Sequence, residues 1–171
     1  MDVLLSNNVG HLSVEVMLGD PSAPGTFSQD AAPSLGLGSP PSYGKGICLA
    51  DLDGDADTDV VYAVNGATYL ALNSGGQFPG GFQTGRGLAT TGNAGGVCCA
   101  ATRPDSSAVD VYVVQHDAAD AFFINNGFGF FSQSNASTMY LLSSCCSAGK
   151  SLVSSARGTS RPSTRFWYMA N

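Results

Sequence analysis

Residues 47–64 read ICLADLDGDADTDVVYAV, an acidic segment between two short apolar runs. The runs Ile47–Ala50 and Val60–Val64 have the length of β-strands and are too short for helices. Aspartates at alternate positions, with one glycine among them, separate the two runs, and such residues are typical of a tight connection. The stretch therefore predicts two β-strands joined by an acidic loop.

The loop concentrates negative charge in a chain of which only 12% of the residues are charged. Clustered carboxylates repel one another, so a folded chain keeps them mainly when a cation neutralises them. Ca²⁺ suits such a loop because it takes six to eight oxygen ligands in a flexible shell. The candidate ligands are Asp51, Asp53, Asp55, Asp57 and Asp59. The alternative is a solvated acidic turn whose charges are simply spaced apart.

The composition of the 171 residues fits one soluble domain. Lysine and glutamate together number only three (Lys45, Lys150 and Glu15), which argues against surface helices and so against an all-helical fold. The net charge of −6 argues against nucleic acid or anionic lipid as the main partner. No apolar run approaches the roughly 20 residues of a transmembrane helix, so we expect no membrane insertion. No signal peptide is visible at the N-terminus, as would also be true of a mature or truncated chain.

The opening stretch recurs along the chain. Without gaps, an offset of 51 lays residues 47–63 over 98–114, and a further offset of 55 lays that copy over 153–169. Downstream, 69–78 and 122–130 are similar to each other, because each is an apolar run that leads into an Asn/Gly turn and then a Phe. A repeat of this length with about four short strands indicates a β-propeller blade.

The expected fold is therefore all-β, with propeller-type repeats of four-stranded antiparallel blades. We expect a single repeat domain over 1–171, with units 1–46 (partial), 47–96, 97–149 and 150–171 (partial). About three repeats are too few to close a propeller ring. The chain would then be part of a larger propeller, pair its open edges with another chain such as a second copy, or form an open assembly within a larger complex.

The acidic loop, the following strand and the turn at 73–78 together resemble the FG-GAP/VCBS repeat. This repeat forms the calcium-binding blades of integrin-α-like propellers and of many secreted adhesion proteins and lectins. The resemblance implies that Asp51, Asp53, Asp55 and Asp59 bind Ca²⁺ through side-chain oxygens and that Asp57 binds it through its backbone carbonyl. It also implies that Gly54 makes the sharp turn of the loop. An EF-hand is excluded, because glycine falls at loop position four and no glutamate stands at position twelve.

The other units depart from the acidic pattern. We call units 47–96 and 97–149 the first and the second repeat. In the second repeat the positions of Asp51, Asp53 and Asp55 are taken by Thr102, Pro104 and Ser106, and only Asp110 remains. In the partial unit 150–171 they are Arg157, Thr159 and Arg161, with Arg165 in place of Asp59. We therefore expect one calcium site in this chain.

The cysteines keep the phase of the repeat, and the ungapped offset aligns Cys48 with Cys99. No C-x-x-C spacing occurs and there are only two histidines, which argues against zinc. Two alternatives stay open for the five cysteines. They form disulfides between neighbouring blades in an oxidising compartment, or they fill the core as small apolar side chains.

No sequence motif indicates catalysis. The serines lack a G-x-S-x-G context, and the Gly-rich segments are not followed by helices that would hold a phosphate. We therefore expect a non-enzymatic binding or structural module for adhesion or assembly, which binds protein partners or further copies of itself. The alternatives are a carbohydrate-binding lectin-type propeller, with glycans as ligands, and an accessory subunit of a large complex. The expected location is extracellular or luminal.

Overall fold

The structure, a computed structural model, describes residues 2–6, 14–28, 30–38 and 44–134. Throughout these ranges the chain is all-β and contains no helix, in agreement with the sequence-based expectation. The expected third repeat copy at 153–169, together with Cys145 and Cys146, lies outside the described residues. The strands are β1 (Val3–Ser6), β2 (Val14–Met17), β3 (Gly44–Ala50), β4 (Asp59–Val64), β5 (Ala67–Ala71), β6 (Ala94–Ala100), β7 (Asp110–Gln115), β8 (Ala121–Asn125) and β9 (Phe131–Ser134).

The strands form three antiparallel sheets with the orders β1-β2, β3-β4-β5 and β6-β7-β8-β9. The expected number of four antiparallel strands is therefore present in the third sheet and not in the first two as described. In the second sheet, a single bridge between Leu70 and Gln83 stands beside β5, where the third sheet has its fourth strand. Over the described ranges the sheets do not close into a ring or barrel.

The registers of the second and third sheets repeat each other. Each first strand shifts register at its start, and each ends with an alanine paired with the aspartate that opens the next strand. These pairs are Ala50 with Asp59 and Ala100 with Asp110, so the second loop is one residue longer than the first. The ungapped offset of 51 is therefore wrong before the loop, and Cys48 corresponds to Cys98 instead of Cys99.

The core lies between the sheets in two clusters. Val60, Tyr62 and Val64 of β4 pack in one cluster with side chains of the first sheet. Val61 and Ala63, which point to the other side, pack in the second cluster with the third sheet. Because both faces of β4 are covered, all six of its residues are buried, which explains its unbroken apolar sequence.

A disulfide joins Cys48 of β3 to Cys99 of β6, with a Cα–Cα distance of 5.9 Å. It links the second and third sheets, so the first of the two alternatives for the cysteines applies to this pair. The strands β3 and β6 also pack against each other, and the bond therefore reinforces an existing contact. A search of the described residues found no helix with the length and apolar character needed to cross a membrane.

Candidate metal centre

The loop between β3 and β4 brings three of the five expected ligands together. One carboxylate oxygen each from Asp51, Asp53 and Asp59 lies within 4.8 Å of the other two. Asp51 and Asp53 are half-buried and Asp59 is fully buried, so the group extends from the partly exposed start of the loop to its base. Exposed acidic groups also occur without a bound ion, so proximity alone does not identify a metal.

The backbone of the loop curls around Asp51. The carboxylate of Asp51 accepts hydrogen bonds from the backbone N–H groups of Gly54, at 2.7 Å, and Ala56, at 3.0 Å. Gly54 has a φ of +86°, a conformation that glycine adopts at no steric cost, as expected for the sharp turn. These contacts fix the direction of the first carboxylate before any ion is present.

Asp59 anchors the base of the loop. Its two carboxylate oxygens accept hydrogen bonds from the backbone N–H groups of Leu52, at 2.7 Å, and Asn73, at 2.8 Å. Burial raises the pKa of Asp59 to about 6, although these two hydrogen bonds favour its ionised form. The ionised carboxylate is therefore costly in this position without a nearby cation.

Asp53 supplies the observation that bears most directly on a ligand. Its Oδ1 atom is buried and has no hydrogen-bond partner, whereas buried polar atoms normally have one. Burial, and next the neighbouring charge of Asp55, raise the pKa of Asp53. The three carboxylates offer only oxygen donors, and one of these oxygens has no partner within the chain. Such a donor set fits a hard cation such as Ca²⁺.

The structure does not bring Asp55 and Asp57 into the group of three. The side chain of Asp55 accepts a hydrogen bond from the backbone N–H of Asp57 at 2.9 Å. The side chain of Asp57 accepts one at 2.6 Å from the backbone N–H of Gly75, in the turn after β5. Asp57 thus fastens the loop to the neighbouring turn, and both residues stay predictions as ligands.

The second repeat holds its remaining aspartate differently. Asp110 is buried and forms a salt bridge with Arg103, whose Nη2 lies 3.0 Å from Oδ1 and whose Nε lies 3.2 Å from Oδ2. The hydroxyl of Thr102 also donates to Asp110. A guanidinium therefore neutralises the aspartate of this loop from within the chain. The loss of carboxylates from this loop was visible in the sequence, but the role of Arg103 was not recognised there.

A cleft of about 340 Å³ separates the two loops. Asp51 and Gly54 line one side, Ser106 and Ser107 line the other, and the turn at 126–127 also contributes. Two phenylalanines follow that turn and are unusually exposed for their size, Phe128 at 69% and Phe130 at 53%. The guanidinium of Arg86 lies 4.7 Å from the centre of the Phe130 ring.

Comparison of the chain with protein-family models gave no match, and comparison with curated proteins gave no significant match.

Proposed function

We propose that this chain is a calcium-stabilised repeat module of the FG-GAP/VCBS kind, built as part of a β-propeller, and that it works by binding and assembly without catalysis. The observation that supports calcium most is the convergence of Asp51, Asp53 and Asp59 around a buried oxygen that lacks a partner. Asp55 and the backbone carbonyl of Asp57 would complete the shell.

A cation in this loop would act mainly on stability. It would offset the repulsion between the carboxylates and the cost of burying Asp59, and it would hold the ends of β3 and β4 together. A ligand that binds only the folded state stabilises it by about 2.7 kcal/mol at a free concentration of 100 times its Kd. The role of the calcium-bound loop is therefore to stabilise its blade.

The surface beside the loop supports a binding role. Phe128 and Phe130 expose apolar rings just after the turn at 126–127 that lines the cleft, and aromatic residues are enriched at interfaces between proteins. We propose protein partners, or further copies of this chain, as the occupants. The disulfide between Cys48 and Cys99 supports an extracellular or luminal location, because such bonds persist in oxidising compartments.

Thermal unfolding with and without calcium tests this proposal. We expect the melting temperature of the wild type to rise by several degrees when Ca²⁺ replaces a chelator, at about 2–4 °C per kcal/mol for a chain of this size. Asp53→Asn should abolish the rise. The matched control is Asp105→Asn, which removes an exposed carboxylate from the loop of the second repeat and should keep the rise. A calcium effect that is absent, or equal in the two variants, would contradict the proposal.

Carbohydrate binding is a second candidate. The cleft combines the hydroxyls of Ser106 and Ser107 with the carboxylate of Asp51. Phe128, whose ring is exposed, comes directly after the lining residue Gly127 in the sequence. Hydroxyl and carboxylate groups can hydrogen-bond a sugar, and the ring can pack on its apolar face. Binding of the wild type to a glycan array, lost in Phe128→Ala, would favour this candidate over the assembly role.

A further inference from the structure

The peptide groups of Leu52 lie between two expected calcium ligands and are held from both sides. The backbone N–H of Leu52 donates to Asp59 within the same repeat at 2.7 Å. Its carbonyl accepts two hydrogen bonds from the second repeat, from Nδ2 of Asn125 at 2.8 Å and from the backbone N–H of Gly129 at 2.9 Å. The side chain of Leu52 is buried in the core between the two sheets.

Asn125 is itself fixed in place. It is fully buried at the end of β8, and Nδ2 donates a second hydrogen bond to the carbonyl of Val109 at 3.0 Å. Its Oδ1 accepts a bond from the backbone N–H of Gly127, also at 3.0 Å. Its backbone N–H donates to Asp110 at 2.9 Å, and its carbonyl accepts from Arg103 at 2.5 Å. The side-chain amide, the backbone N–H and the backbone carbonyl of Asn125 therefore all form hydrogen bonds.

Among the described residues, the corresponding asparagine of the first repeat, Asn73, shows no hydrogen bond to the loop of another repeat. Asn73 donates its backbone N–H to Asp59 and its side-chain amide to the carbonyl of Thr58, just as Asn125 does with Asp110 and Val109. Asn125 adds the bond to Leu52, 73 residues away in the sequence. The extra bond joins the two repeats, whereas the bonds to Asp110 and Val109 lie within the repeat of Asn125 itself.

We propose that Asn125 is a positioning residue for the calcium loop of the preceding repeat. By fixing the carbonyl of Leu52, it sets the orientation of the peptide from which Asp51 and Asp53 diverge on either side. The second repeat, whose own aspartate Asp110 is paired with Arg103, then pre-organises the loop that binds calcium from solution. This inference rests on the proposed calcium site. Groups that orient metal ligands without touching the metal typically change its affinity by 10- to 100-fold.

Calcium titration calorimetry on the full chain tests the inference. The variants Asn125→Asp and Asn125→Ala remove the donor to Leu52, and the first of them keeps the shape of the side chain. We expect each to weaken calcium binding about tenfold. The matched control is Val113→Ala, which leaves a cavity in the core beside β7 and lowers stability without touching Leu52. Its calcium affinity should equal that of the wild type, at a temperature where circular dichroism shows every variant folded.

The outcomes separate the two proposals. A wild type that binds no calcium overturns the proposed function and this inference together. A wild type that binds calcium with the same affinity as the Asn125 variants, or a Val113→Ala variant weakened as much as they are, overturns only the inference. Should both Asn125 variants fail to fold, Arg103→Lys takes their place, because it disturbs the bond from Arg103 to the carbonyl of Asn125 and keeps the charge. An unchanged affinity in Arg103→Lys then also overturns the inference.

Discussion

The two loops that precede β4 and β7 occupy the same place in successive repeats but neutralise their buried aspartates differently. Asp59 accepts two backbone hydrogen bonds and shares its loop with four further aspartates. Asp110 accepts a two-point contact from Arg103, a bond from Thr102 and one backbone bond. The first loop therefore carries an excess of negative charge, whereas the second is balanced within the chain.

The difference shows how one architectural position can be stabilised in two ways. A carboxylate buried at the start of a central strand organises the turn around it, but it needs a positive partner. Arginine supplies that partner as a fixed, always-charged fork, so the second repeat needs nothing from solution. In the described residues no salt bridge joins the carboxylates of the first repeat to a lysine or arginine, and we propose that a cation from solution takes that place.

The two loops belong to repeats that the disulfide between Cys48 and Cys99 holds together, and removing this bond should have the largest effect on stability. Replacing Cys48 and Cys99 by serine together should cost about 4 kcal/mol, because the bond closes a loop of about 50 residues in the unfolded chain. Urea unfolding under non-reducing conditions measures the loss. A reductant should destabilise the wild type more than the double variant. Equal stability of the two proteins would show that the bond does not constrain the chain.

Removing the guanidinium of Arg103 should have the next largest effect on stability. Arg103→Gln leaves Asp110 buried with fewer donors, at a cost of about 2 kcal/mol, which is below that of breaking a fully buried pair because the arginine side chain is 36% exposed. Urea unfolding should show this loss in chelator, and calcium should add a smaller one, because Arg103 also holds the carbonyl of Asn125 and through it the calcium loop. The comparison variant Asp59→Asn should instead lose most of the calcium-dependent stability. An Arg103→Gln variant as stable as the wild type in chelator would contradict the role assigned to the guanidinium.

Much of this arrangement was predictable from the sequence, because it depends on local patterns. Short apolar, β-prone runs separated by Asn/Gly turns predicted the antiparallel strands, and the glycine at 54 predicted the turn that its positive φ confirms. The sequence placed five candidate aspartates in one short loop, and the structure brings three of them together, Asp51, Asp53 and Asp59.

The remaining features depend on contacts between repeats or on a one-residue difference in loop length. An ungapped alignment cannot show that the second loop is longer, since both strands and both aspartates still match in type. The disulfide joins residues whose true counterparts lie one position away, so repeat phase alone did not identify the pair. The bond from Asn125 to Leu52 spans 73 residues, and nothing in either segment marks the other as its partner.

The smallest expected effect is the pH dependence of the first loop, and its sign distinguishes the two loop types. Burial raises the pKa of Asp59 to about 6, above the usual value of 3.8, so the folded protein binds more protons than the unfolded chain between these two values. In chelator, lowering the pH from 7 to 5.5 should therefore let this group add about 1 kcal/mol to stability.

Melting temperatures measured in chelator should rise over this interval in the wild type, and the rise should be smaller in Asp59→Asn. In calcium the trend should reverse, because protons compete with the ion for the same carboxylates. Arg103→Gln leaves Asp59 untouched and should keep both trends. A wild type whose stability falls on acidification in chelator would contradict the cost assigned to the buried carboxylate, and with it the reason for proposing a cation in the first loop and not in the second.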